Sequence, residues 1–362
     1  MFYQLAAGQT LAQLNSGDAW IASKEVLVSH AGTAGMRWED VQFAHSTWLQ
    51  PNSLDGFVDT QATVYACTPG TLGCNLGSTG EPMGAVRVSG STDLSFDRCI
   101  FSHIGSPYAL SVQGGSKRVL VASSTFEDLS GGFLKLGSVG TDNEKMDPAG
   151  WDEGFVVTEN VARNQAVEYG GAPGYFGGFI AHSSISHNTV SEAGYSGFSQ
   201  GWGWGSIHAP GYGNVTISYN RIFNVMQKMK DGGGIYVNGY TSDSLPVNVM
   251  RGNWVDHDEH VFAVYYLDNG ASHWHVTQNV ATNSSTQWAF FMTPGTGVPA
   301  NAAHNNSVDH LWYQDELPPF NGCQKYGCDV DNATVFKVPA GQPLPPPALA
   351  IMAAAGAMPA HL

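Results

Sequence analysis

The sequence predicts an all-β fold, a single chain wound into stacked coils as a parallel β-helix. Three observations predict it. A six-residue pattern, apolar-x-x-polar-x-apolar, recurs along the chain; short β-rich runs bounded by Gly fill the intervals; and no convincing amphipathic helix lies between them. The copies are "FDRCIF" (Phe96 to Phe101), "VASSTF", "VTENVA", "ISHNTV", "ISYNRI", "MRGNWV" and "VTQNVA" (Val276 to Ala281), with "AAHNNSV" near Asn305 as a degenerate last one. Their fourth positions are Cys99, Ser124, Asn160, Asn188, Asn220, Asn253 and Asn279, at spacings of 25, 36, 28, 32, 33 and 26 residues. That is one coil plus variable insertions, the mark of a solenoid.

Stacked strands lie ~4.8 Å apart, so Asn repeated at one turn position can bond the copies above and below. Such a ladder satisfies turn backbone that water does not reach. Earlier, Leu11 to Phe43 supplies the first strands, with "MRWEDVQF" fitting the pattern loosely. Residues 51–81 and 137–151 read as insertions. The solenoid is expected over 1–312, followed at 313–362 by a Pro- and Ala-rich strap or poorly ordered end over the last coil.

Composition bounds the function. The chain has 362 residues, 44 of them Gly, only 12% charged, and a net charge of -15. This suits a compact body with many tight turns and excludes disorder, which needs low hydrophobicity and high charge. An acidic surface repels polyanions, so no nucleic acid partner is expected. No apolar run approaches the ~20 residues that span a bilayer. "MFYQLAAGQTLAQL" lacks the basic and apolar regions of a signal peptide, and reads as folded chain of a mature form or of a piece of a longer protein.

Cys67 and Cys74 bracket "TPGTLG", and Cys323 and Cys328 bracket "QKYG", loops that suit local disulfides; Cys99, in a strand-like run, reads as a buried thiol. Neither pair has a partner at zinc spacing, so no metal is expected. Sequons stand at Asn214, Asn283, Asn305 and Asn332. Together with the paired cysteines they point to an extracellular or secreted protein.

A second set of strands aligns Phe179, Phe198, Ile235, Tyr265 and Phe290. Three positions on, His182, Gly201, Asn238, Asp268 and Thr293 then form a column along one outer face. Trp202, Trp204, Tyr236 and Tyr266 flank it. Flat rings beside hydrogen-bonding groups are what a sugar cleft requires. "KMKDGGGIYVNG" (Lys228 to Gly239) adds an aspartate directly before three glycines. It is either a plain Gly turn or a carboxylate folded over the groove, brought towards Asp268 by the freedom of Gly232 to Gly234.

"YSGFSQGWGWG" (Tyr195 to Gly205), "VMQKMKDGGGIYVNG" (Val225 to Gly239) and "YYLDNGAS" (Tyr265 to Ser272) appear here in that order. In this the chain resembles the right-handed parallel β-helix proteins grouped with glycoside hydrolase family 141, within the pectin-lyase-like superfamily. The likeness covers roughly Met1 to Trp312. It implies hydrolysis of a complex polysaccharide by two aspartates, carried over by motif to Asp231 and Asp268. The chain departs from that pattern at "AVYYLD" and in having Asn269 where an acid is usual.

Acetal hydrolysis takes one carboxyl to protonate the leaving oxygen and another as base or nucleophile. Fallback acids are Glu168, Asp258 and Glu259, while His182, His208 and His260 would position hydroxyls. Two alternatives stand beside the hydrolase. One is a polysaccharide lyase, for which "DHDEH" (Asp256 to His260) would gather calcium; basic residues are too few to favour it. The other is a non-catalytic β-helix that binds glycan or joins an extracellular assembly.

Overall fold

Alternation decides which face of each strand is buried. In Gly213–Ser218, Val215 and Ile217 are buried while Asn214, Thr216 and Ser218 are partly open. Strands of this kind, stacked in parallel coil upon coil, pair their N–H and C=O groups along the stack. The computed structural model describes residues 22–61, 63–67, 79–80, 83–139, 147–203, 209–256, 263–284, 289–292, 302–314, 323–339 and 341–357. Within these, the strands form three parallel ladders. The first is a 9-stranded sheet from Val28–Ala31 to Phe290–Met292. The second and third share an 18-stranded sheet, starting at Arg37–Glu39 and Gln42–Ser46. They join because Trp274–Thr282 and Ser307–Tyr313 run through both. A coil takes one strand from each ladder in turn, as in Phe198–Gln200, Gly213–Ser218 and Arg221–Phe223. The fold is therefore all-β, parallel and solenoid-like.

The recurring hexapeptides stack in register: Val121, Val157, Ile185, Ile217, Met250 and Val276 are successive partners. The last copy falls elsewhere than expected. Val276 pairs with Val308 and Asn279 with Leu311, so the degenerate copy is Val308–Tyr313, not the segment around Asn305. Asn306 belongs to a different corner, where its Oδ1 accepts from Trp274 N–H.

The corner between the second and third ladders shows why the pattern needs its fourth residue. The residue just before it is left-handed in every coil from Arg98 to Gln278, with only Gly252 lacking a Cβ. That conformation costs an L-residue roughly 1–2 kcal/mol, and the amides at the corner offset it. Asn160 Nδ2 donates to Asn188 Oδ1 at 2.9 Å, and the bond repeats from Asn188 to Asn220, Asn220 to Asn253 and Asn253 to Asn279 at 3.0 Å. Each Oδ1 also accepts the backbone N–H of the Asn before it, and each Nδ2 donates to a carbonyl of the preceding coil. Ser124 and Cys99 extend the ladder through a hydroxyl, since Cys99 N–H donates to Ser124 Oγ. Inside the coils Phe43, Phe101 and Phe126 stack face to face, at 4.8 and 4.5 Å between centroids.

The two ends refine the expected boundaries. In the 51–81 insertion, Phe57–Thr60 and Thr63–Cys67 form an antiparallel hairpin. Of the 137–151 excursion, the described part ends in a 3-10 turn at Pro148–Gly150. Parallel pairing continues past 312 to Val335–Lys337. The tail then forms helix α1 (Pro346–Ala354), which corrects the expectation of an irregular end. Its Ala348 and Ile351 pack with Val280 and Trp312 on the outside of the third ladder. The chain goes on to Gly356 and Ala357, which donate to Tyr219 O and Thr189 Oγ1. The strap thus runs back along a side of the stack. Cys323 and Cys328 are disulfide-bonded, and Cys99 is a buried free thiol. Cys67 is disulfide-bonded too; its expected partner Cys74 lies outside the described residues.

Candidate functional site

"KDGGGIY" (Lys230 to Tyr236) enters the first ladder through a corner where coils press together. The left-handed residue is Asp231 itself, with φ 60°, a conformation Asp tolerates better than most. Gly232, Gly233 and Gly234 are not left-handed. A Cβ on Gly233 would lie 2.1 Å from Ala263 O, and one on Gly232 2.7 Å from both Ser196 Oγ and a Tyr195 ring carbon. The expected doubling back through glycine freedom is therefore corrected: lack of room, not positive φ, requires glycine here. The main-chain oxygen of Asp231 accepts from Tyr195 OH at 2.9 Å and from Gln61 Nε2 at 2.8 Å. Its carboxylate is exposed.

Asp268 follows the strand Tyr265–Leu267 of the next coil and is 5% exposed. Its Oδ2 accepts from Tyr236 OH at 2.6 Å and its Oδ1 from Asn269 N–H at 2.7 Å. Burial pushes its carboxyl above the ordinary aspartate value; the charge of Asp231 adds to that, while the hydrogen bonds oppose it. Tyr266 stands between the two acids. Its hydroxyl donates to Asp231 Oδ1 at 3.4 Å, and its ring packs edge to face on Tyr236, the donor to Asp268. Burial raises the phenols of Tyr195, Tyr236 and Tyr266, so they stay protonated as donors. An exposed and a buried carboxyl are thus each held by one of two packed tyrosines.

The column is partly as expected. Phe198, Ile235, Tyr265 and Phe290 are in register, which aligns Gly201, Asn238 and Asp268; Thr293 lies outside the described residues. Tyr175, not Phe179, pairs with Phe198. His182 therefore leaves the column, because the chain has already turned into Ala181–Ser186 of the second ladder. There His182 is exposed, with Nδ1 2.7 Å from Asn214 Nδ2. Asn238 is buried; its Nδ2 donates to Tyr236 OH at 3.4 Å, and its Oδ1 has no partner among the described residues.

The aromatic platforms are also corrected. Tyr236 and Tyr266 are buried edge to face, 5.1 Å apart, and offer hydroxyls to carboxyls rather than ring faces to a sugar. Trp202 is half-buried, edge-on to Phe176 at 6.0 Å. These side chains fill the outer surface of the first ladder. Trp204 and His208 lie outside the described residues. Glu168 is exposed beside Tyr169, whose phenol is pushed up to about 12, by burial first and then by the Glu168 and Asp59 charges.

Asp258, Glu259 and His260 also fall outside the described residues; Asp256 accepts from Thr282 and Asn283. Among the described residues, no group of three or more His, Cys, Asp or Glu is placed to hold a metal ion. The sequon residues Asn214, Asn283 and Asn305 have left-handed backbones, Asn214 within the strand Gly213–Ser218. Asn332 opens a 3-10 turn. A groove of about 340 Å³ elsewhere, lined by Arg37, Glu39, Asp93, Leu94, Ser95, Asp97 and Leu120, lies on the first coils of the second ladder. Its Asp93 and Asp97 are paired with Arg118 and Arg98.

Two residues at the site were missed in the sequence. Tyr195 sits in the quoted "YSGF" yet carries no pattern of its own. Gln61 belongs to an insertion 170 residues away from Asp231, and no local signal links them.

No family model and no curated protein matches the chain. A solved structure described as a glycoside hydrolase superposes on it with a TM-score of 0.62 and 21% identity, over 86% of this chain. This chain spans about half of that protein, 54% of its length. At that identity the likeness shows the fold alone. Fold and site together define a parallel all-β solenoid with a carboxyl pair, one acid buried and one exposed, each held by one of two packed tyrosines.

Proposed function

We propose that the protein is a carbohydrate-active enzyme, a glycoside hydrolase that cleaves a complex extracellular polysaccharide on a right-handed parallel β-helix. The observation that carries this reading is the carboxyl pair itself, Asp231 exposed and Asp268 buried, each accepting from one of two packed tyrosines, Tyr266 and Tyr236. Acid and base roles separate where environments push two carboxyls apart. Asp268, buried and with its carboxyl held up, is the general acid that protonates the leaving oxygen. Asp231, exposed at the corner, is the base or nucleophile. Tyr236 orients the acid, and Tyr266 the base or nucleophile. The glycoside hydrolase whose fold this chain shares supports the substrate class. The disulfides support an extracellular location, where such bonds persist. Among the described residues, no helix is long and apolar enough to cross a membrane.

One observation favours a second reading, a glycan-binding or structural β-helix without catalysis: Asp268 is only 5% exposed. The test for both is release of reducing ends from a panel of plant cell-wall and algal polysaccharides, by the wild type, Asp231→Asn and Asp268→Asn. The hydrolase reading expects each variant to lose ~10²–10⁴-fold in rate while remaining folded. A wild type that binds a polysaccharide of the panel and cleaves none would establish the second reading.

A further inference from the structure

We propose that the hairpin Phe57–Cys67 is a brace for the candidate acid pair, and that Gln61 at its tip is a positioning residue that sets Asp231. This rests on the reading of Asp231 as a reacting carboxyl. The hairpin leaves the chain after the third-ladder strand Gln42–Ser46 of the first described coil, yet its tip meets the corner before Ile235–Val237, several coils along the stack.

Three separate contacts lay it down along that side. At its base, Phe57 packs with Trp48 and Tyr169 in mutually edge-on rings, 5.2 to 5.5 Å between centroids. Midway, Asp59 Oδ1 accepts Gly171 N–H at 2.7 Å. Gly171 is itself a close-approach position, since a Cβ there would lie 2.1 Å from Thr60 O. At the tip, Gln61 Nε2 donates to Asp231 O at 2.8 Å.

That carbonyl belongs to the left-handed residue of the corner, and it accepts two side-chain donors, Gln61 and Tyr195. A left-handed Asp persists only where its surroundings over-determine it. Tyr195 comes from the preceding coil and holds Asp231 along the stack. Gln61 comes from outside the stack and holds it across the corner. Rotation of the Asp231 peptide would swing its carboxylate away from Tyr266, and displacement of a reacting group by ~1 Å costs about 100-fold in rate.

Two variants of nearly equal size separate positioning from packing. Gln61→Met removes the donor without charge. Gln61→Glu removes it at neutral pH, but its carboxyl regains an O–H donor as pH falls towards ~4.3. Amide exchange over 228–235 is measured first, without any substrate. Both variants should exchange ~10-fold faster there at neutral pH, with the remaining coils unchanged. On a panel polysaccharide that the wild type cleaves, kcat should fall ~10–100-fold at neutral pH with KM little changed. The ratio of Gln61→Glu to wild type should recover as pH is lowered, and the ratio for Gln61→Met should not. Wild-type exchange over 228–235 in both variants overturns the brace. So does faster exchange in Gln61→Glu that fails to recover in acid. If no polysaccharide is cleaved but exchange responds as described, the brace stands and the hydrolase reading fails.

Discussion

Two corners of the same coil behave in opposite ways. Between the second and third ladders, one device repeats from Asn160 to Asn279: a left-handed residue, then an Asn that bonds its copies above and below. Between the third and first ladders, where Asp231 lies, a left-handed residue also recurs as the chain leaves the third ladder, from His103 to Asn224. The stretches after it, however, differ in length from one coil to the next. One carries Tyr169 to Gly171 under the hairpin; another carries Lys228 to Gly234, with a left-handed Asp and two glycines at close approach. The repeated corner stabilises the stack by the same bonds many times over. The irregular corner is free to vary because the first one holds the register, and that is where a carboxyl pair can be assembled.

The largest expected effect separates the corners by function. Asp231→Asn should remove activity ~10²–10⁴-fold while leaving the free energy of urea unfolding within ~0.5 kcal/mol of wild type, since its carboxylate is exposed. Asn220→Ala should do the reverse. It strips Asn188 N–H and Ile185 O of their partners in a buried corner, which should cost ~2–5 kcal/mol at unchanged m-value. Ser124→Ala, nearer the end of the ladder, leaves only the Cys99 N–H unpaired and should cost ~1–3 kcal/mol. Equal losses for a ladder Asn and for Asp231 would erase the contrast.

Asp268 sharpens it further. Because its folded carboxyl lies above the ordinary 3.8, the folded state holds the proton longer than the unfolded chain does. Its contribution to stability therefore falls as pH rises from 3.8 through the raised value. Asp268→Asn removes this dependence: the variant should be the more stable at neutral pH, and the difference should vanish below pH 3.8, as read by urea unfolding at both ends. The smallest effect is expected from Tyr236→Phe. Loss of a hydrogen bond that lowers the Asp268 carboxyl should move it further up. The alkaline limb of the pH–rate profile should shift upward with it, at a stability cost of ~1 kcal/mol.

Much of the regular part was legible. The fourth-position Asn residues are the ladder, and Phe198, Ile235 and Tyr265 stack as their alternation implies. Asp231 and Asp268, singled out by motif, accept from two tyrosines that pack on each other, Tyr266 and Tyr236. Legibility failed where coil length varies. His182 was set four residues out of register because Tyr175 rather than Phe179 pairs with Phe198. Tyr236 and Tyr266 read as open platforms because a strand pattern shows which face a residue takes, not what covers that face. Helix α1 was missed because its Pro- and Ala-rich segment has no polar face to mark it as amphipathic.

The sequence by itself determined the coil: its period, the strands on its faces and the amide ladder, all set by interactions between equivalent positions one coil apart. Only the tertiary structure decided the rest. The burial of Asp268, the left-handed turn at Asp231 and the reach of Gln61 each depend on how insertions of unequal length settle against the stack. No pattern of residue types encodes that, because the partners come from distant parts of the chain and meet through packing alone.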